Sequence, residues 1–185
     1  MIFSGSSCNS NFISLNILNN KEKKMSILVA YFSASAGKVT EKMAEKLAKA
    51  VDGDLFEIKP ETTYTEADLD WTNPESRSSK EMKDNPSFRP PIAEKVDNMD
   101  DYDTIFVGFP IWWYIAPTII NTFLESYDLS GKTIIPFASS GSSGMGNTNA
   151  NLAPSCPDSK LIEGKRFPAN VSEEDFAEWA ETLDI

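Results

Sequence analysis

The chain has no histidine among its 185 residues. That absence removes histidine triads, histidine general bases and histidine metal ligands. Cysteine is almost as scarce. Cys8 and Cys156 are too few and too isolated for a disulfide framework or a cysteine-rich metal site. Cys156, flanked by Pro154 and Pro157, reads as a semi-buried structural thiol. Such sparing use of cysteine fits a reducing, cytoplasmic setting. Positive charge is short as well: 17 Lys and Arg stand against 28 Asp and Glu, a net charge of −11. Nucleic acid and anionic membrane surfaces carry the same sign and are excluded as expected partners. A partner protein with a basic docking surface is favoured instead.

What is present begins with length enough for one domain with a real core. Residues 1–24 stand apart. They are rich in Ser and Asn, weakly periodic, and close on Lys21-Glu22-Lys23-Lys24. A signal peptide puts its positive charge before an apolar core; here the charge follows and no long apolar core exists. The stretch reads as a disordered or loosely attached extension, with the domain spanning 25–185. Its three lysines and one glutamate give it +2 and leave −13 on the domain.

Within the domain, short apolar runs alternate with helical patterns. Ile27–Phe32 is too continuous for a strand with one wet face, so it is expected to be central and buried on both sides. From Lys38 to Val51 the apolar positions Val39, Met43, Leu47, Ala50 and Val51 recur at helical spacing, and Gly53 is the expected left-handed cap. A second strand is expected at Leu55–Ile58, a third at Thr104–Phe109, a fourth at Thr133–Ala138 and a short fifth at Lys160–Ile162. Helices are expected from Ala116 to about Tyr127, with Pro117 in the first turn, from the Gly-rich segment to about Ala153, and after a Ser172 cap. Residues 60–98 form a long polar link with one short helix around Glu75–Lys83. Its Trp71 is either a packing residue or a lid over a ligand. The alternation implies a parallel sheet with helices on both faces, and ligands in such folds sit beyond the carboxyl ends of the strands.

Three unusual loops follow those carboxyl ends. Ser33-Ala34-Ser35-Ala36-Gly37 leads into a helix start, where unpaired N–H groups and the dipole favour an anion. A tight connecting turn is the plain alternative. A P-loop fails twice, because Phe32 and Val39 stand where that motif needs Gly and Ser or Thr. What is left is a serine-rich phosphate cup. Pro110-Ile111-Trp112-Trp113-Tyr114 sets three consecutive aromatics at a strand end. Core packing explains some of them, but at least one must face the crevice, where a flat ring can stack and exclude water as a flavin ring requires. Ser139–Gly146 carries Gly141, Gly144 and Gly146, which permit close backbone approach but are weak evidence alone.

YFSAS, VGFPIWWYIAP, PFASSGSSGMG and the DLDWTNPESR segment of the link together resemble the flavodoxin family, most closely its short bacterial flavodoxin-like branch. The resemblance covers about residues 25–185. It implies an α/β three-layer sandwich with a five-stranded parallel sheet in the order 2-1-3-4-5, and bound FMN. The family's phosphate loop maps onto Ser33, Ser35, Ala36, Gly37, Lys38, Val39 and Thr40. Its ring-flanking loops map onto Pro110, Ile111, Trp112, Trp113 and Tyr114, and onto Ser139, Ser140, Gly141 and Gly144. The first loop is longer than the family's usual Ser-x-Ser/Thr-Gly-x-Thr. The resemblance implies low-potential electron transfer between redox partners, since surrounding carboxylates disfavour an anionic reduced flavin. Two rivals stand beside it. One is an NAD(P)H-dependent FMN oxidoreductase acting on quinones or similar acceptors, for which Arg77 and Arg89 are the candidate phosphate ligands. The other is a flavin-free interaction module with the same fold.

Overall fold

Each apolar run becomes a strand in the computed structural model, which describes Met1, residues 26–183 and Ile185. The extension expected over 1–24 lies, apart from Met1, outside the described residues. Strands β1 (Ile27–Tyr31), β2 (Asp54–Glu57), β3 (Thr104–Pro110), β4 (Thr133–Ser139) and β5 (Lys160–Leu161) pair in the order β2-β1-β3-β4-β5, as expected. All pairings are parallel.

The fifth position is filled by two short strands rather than one. β5 pairs with the start of β4, while β6 (Lys165–Phe167) pairs with Phe137–Ser139 at its end. Pro136 lies between these two stretches. It has no N–H for a ladder, and the edge is interrupted there. Lys165-Arg166-Phe167 escapes a sequence reading because only Phe167 is buried.

Residues on successive strand positions point to opposite faces. Leu28, Ala30, Phe32, Ile105, Val107, Phe109 and Ile134 pack with α3 (Thr118–Glu125), α4 (Thr148–Leu152) and parts of the link. Val29, Tyr31, Phe106, Ile135 and Phe137 pack with α1 (Val39–Ala50) and α5 (Glu173–Glu181). Buried on both faces, the central strands need no polar alternation, which is why they read as unbroken apolar runs.

Two helix caps depart from expectation. The left-handed residue after α1 is Asp52, with φ 52°, not Gly53. A Cβ on Gly53 would lie 3.1 Å from the Ile27 carbonyl, so glycine serves close approach there. Pro117 precedes α3 with an extended ψ of 143° instead of entering its first turn. The Ser172 cap holds: its Oγ accepts the Asp175 N–H while the Asp175 carboxylate accepts the Ser172 N–H. The helix expected to run to about Ala153 starts at Thr148, ends at Leu152 and is followed by a single tighter turn over Ala153–Ser155. Cys156 is buried, and its thiol is pushed up by that burial.

The link is ordered. Its ends zip together as Glu61 N–H bonds to Pro91 O at 2.9 Å and Ala93 N–H to Lys59 O at 2.8 Å. Its helix, α2 (Arg77–Ser79), continues through a wider turn over Lys80–Asp84. Among the described residues, no helix is long and apolar enough to cross a membrane.

Burial, and then the charges of Glu57, Glu41 and Glu45, push the Tyr31 phenol up from 10 to about 12. The folded chain therefore keeps a proton that the unfolded chain loses first. This stabilisation is full below pH 10 and is lost as the pH rises through about 12. Tyr31→Phe is expected to flatten the fall of the urea midpoint between those values. An unchanged slope would assign the alkaline loss to Tyr64, Tyr102 and Tyr127, which shift the same way.

Candidate functional site

The loops after β1, β3 and β4 meet at one edge of the sheet, where a cavity of about 610 Å³ opens. Of the residues singled out in the sequence, Ser35, Pro110, Ile111, Trp112, Trp113, Tyr114, Ser140 and Gly141 line it. Ser33, Ala36, Gly37, Lys38, Val39, Thr40, Ser139 and Gly144 do not, although Ser33 adjoins its wall residues Ala34 and Ser35.

The first loop turns through a Lys38 N–H bond to Ser35 O at 2.9 Å. Lys38 then sits left-handed, with φ 51°, immediately before α1. Its ammonium pairs with Glu41 at 2.9 Å rather than turning back over the loop. Thr40 is buried, and its hydroxyl lies 2.8 Å from that of Ser139. This pair fastens the start of α1 to the end of β4, two loops that are 99 residues apart in sequence. Ser33 is different: its Oγ is buried and has no hydrogen-bond partner among the described residues. Leaving such a group unpaired costs roughly 1–3 kcal/mol, which a bound acceptor would recover.

The second loop makes a two-residue reversal. Trp112 and Ile115 exchange backbone hydrogen bonds at 3.0 and 3.1 Å. Trp113 and Tyr114 between them have φ 47° and 66°. Turns with both central residues left-handed are normally built from Asn and Gly, so two bulky aromatics here store strain. Surrounding contacts hold it. The Trp112 ring packs edge-on against Phe32 and Tyr64, at 5.6 and 5.4 Å. Tyr114 O accepts the Asn147 N–H at 3.2 Å from the third loop. Of the three aromatics, Trp112 thus belongs with the core, whereas Tyr114 is 67% exposed.

A family model for flavodoxin matches residues 26–183. The chain belongs to the flavodoxin family. Solved structures agree. A protein assigned as a flavoprotein from Bacteroides eggerthii DSM 20697 is 47% identical with a TM-score of 0.80, covering 86% of this chain and 98% of that one. Its counterpart from Bacteroides uniformis ATCC 8492 is 45% identical with a TM-score of 0.78, over 85% and 98%. A Lactobacillus acidophilus NCFM flavoprotein in complex with FMN shares the fold at 22% identity and a TM-score of 0.61, over 84% and 99%. No match was found among curated proteins.

This flavodoxin-family site has a wall that the loop-by-loop reading left out. Leu69, Trp71 and Ser78 of the link line the cavity, as do Ala34, Ser142 and Ser143. Only the link's DLDWTNPESR segment, with its single Trp71, signalled it, because residues 60–98 carry no apolar period. Trp71, read as packing residue or lid, is 72% exposed at the cavity wall. Arg77 and Arg89 are committed elsewhere. Arg77 pairs with Glu81 at 2.7 Å and lies 3.9 Å over the Tyr64 ring. Arg89 pairs with Glu125 at 2.9 Å.

Proposed function

We propose that this flavodoxin-family chain binds FMN and acts in low-potential electron transfer between redox partners. The observation that carries the reading is the convergence of a serine loop and a strained aromatic turn on one cavity. The donor set fits the cofactor. Ser33 offers an unpaired buried hydroxyl, and the first-turn amides of α1 have no intrahelical acceptor. In this reading Ser33, Ser35, Ala36, Gly37, Lys38, Val39 and Thr40 hold the phosphate. Thr40 contributes its amide, since its hydroxyl is engaged with Ser139. Pro110, Ile111, Trp112, Trp113 and Tyr114 flank the ring on one side; Ser139, Ser140, Gly141 and Gly144 do so on the other.

Bound FMN supplies the electron-transfer chemistry itself. The chain's residues orient it and exclude water. Half-buried Trp112 and Trp113 provide an apolar wall, and the Thr40–Ser139 pair fixes the spacing of two loops. The domain's charge of −13 steers a basic partner to the site, most strongly at low salt.

The rival, an NAD(P)H-dependent oxidoreductase, needs room for nicotinamide over the flavin and often uses a basic site for a nucleotide phosphate. The engagement of Arg77 and Arg89 in ion pairs supports the carrier over it. The test is an absorbance spectrum of purified protein after FMN loading and gel filtration. Retained flavin at one equivalent, no NAD(P)H consumption with a quinone, and partner electron transfer that slows with salt are expected. Absence of retained flavin would leave the flavin-free module as the reading.

A further inference from the structure

The link wall of the cavity contains a group that the three loops do not explain. Ser78 lines the cavity and is 1% exposed, and its Oγ is buried without a hydrogen-bond partner among the described residues. Its neighbours are satisfied. Ser76 Oγ donates to Ser79 Oγ at 2.9 Å and accepts the Ser79 N–H at 3.3 Å, so the helix start does not need Ser78. The segment around it is held firmly by the Arg77–Glu81 pair and by the Tyr64 hydroxyl, which donates to Glu81. Two ties run from this segment to the aromatic turn: the Tyr64 ring lies 5.4 Å from Trp112, and Lys83 Nζ lies 5.2 Å from the Trp113 ring. Ser78 therefore stands on the cavity wall together with the ring-flanking turn.

We propose that Ser78 is a flavin-ring contact supplied by the link, donating a hydrogen bond to an oxygen or nitrogen on the polar edge of the ring. The proposal rests on the reading that the cavity takes FMN. It assigns the link a binding role that a phosphate cup and two ring-flanking loops do not require. A buried hydroxyl with no partner among the described residues is expensive to keep, and a ring acceptor satisfies it.

The test titrates apoprotein with FMN and, separately, with riboflavin, following flavin fluorescence. Wild type, Ser78→Ala and Ser33→Ala are compared. Ser78→Ala is expected to raise the Kd for both ligands roughly five- to tenfold, the loss of one neutral hydrogen bond. Ser33→Ala is expected to weaken FMN alone. The apo form of Ser78→Ala should melt at the wild-type temperature or above, because the hydroxyl removed has no partner to lose. Unchanged affinity for both ligands overturns the proposal, and so does a loss confined to FMN, which would make Ser78 a phosphate contact. A lower apo melting temperature also overturns it, by giving the hydroxyl a structural partner. Wild-type protein that takes up neither ligand overturns the FMN reading and this proposal together. Wild-type uptake with an unaffected Ser78→Ala overturns this proposal alone.

Discussion

Gly146→Ala is expected to destabilise the apoprotein by about 2–4 kcal/mol and to abolish tight FMN binding. Two penalties combine. Gly146 has φ +55°, a conformation that costs an L-residue with a Cβ roughly 1–2 kcal/mol. A Cβ there would also overlap the Tyr114 carbonyl oxygen and sit 3.0 Å from Tyr114 Cβ. The atom in the way is backbone, so a side-chain rotation cannot relieve it. The third loop must retreat, the Asn147 N–H bond to Tyr114 O is lost, and the strained aromatic turn loses one of its restraints. Gly141→Ala and Gly144→Ala are the controls. A Cβ on either meets nothing within 4 Å, so apo stability should stay within about 0.5 kcal/mol of wild type. Urea unfolding of the three apo variants decides the matter. Equal midpoints for all three would show that the loop yields at no cost.

Glu81→Ala is expected to cost about 2–3 kcal/mol and to loosen the link wall of the cavity. Glu81 is 6% exposed and holds two partners: it accepts from the Tyr64 hydroxyl at 2.5 Å and pairs with Arg77 at 2.7 Å. Removing it leaves a buried phenol unpaired and strips Arg77 of its counter-charge. Arg77 is 23% exposed and keeps its bond to the Thr62 carbonyl, so solvent offsets part of the loss. The loss therefore falls below that of a fully buried pair. The consequence reaches the site because the Tyr64 ring packs on both Phe32 and Trp112. Flavin affinity should therefore fall with stability, and proteolysis within residues 60–98 should accelerate. Wild-type stability in Glu81→Ala would mean that aromatic packing alone holds the link.

The central strands were legible because burial on both faces demands uninterrupted apolar residues, and Ile27–Phe32 and Thr104–Phe109 supply them. The Ser172 cap was legible because its partner lies three residues away. The flavodoxin resemblance was legible in loop motifs that each follow a strand. Other features depend on distant partners. β6 carries one buried side chain, so its strand character comes from pairing with β4. The buried Thr40 hydroxyl is placed by Ser139, 99 residues away, which no local spacing could announce.

By itself, the sequence determined the layered α/β plan, the absence of histidine chemistry, the acidic surface and the three loops that follow strand ends. These depend on composition and on local periods of two and 3.6 residues, which side-chain burial imposes along a single segment. Only the tertiary structure decided which glycine of 141, 144 and 146 is indispensable, that Thr40 is tied to Ser139, that Asp52 rather than Gly53 closes α1, and that the link walls the cavity with Ser78. Each of these is settled by what a residue touches across the fold, and such contacts leave no period in the chain that makes them.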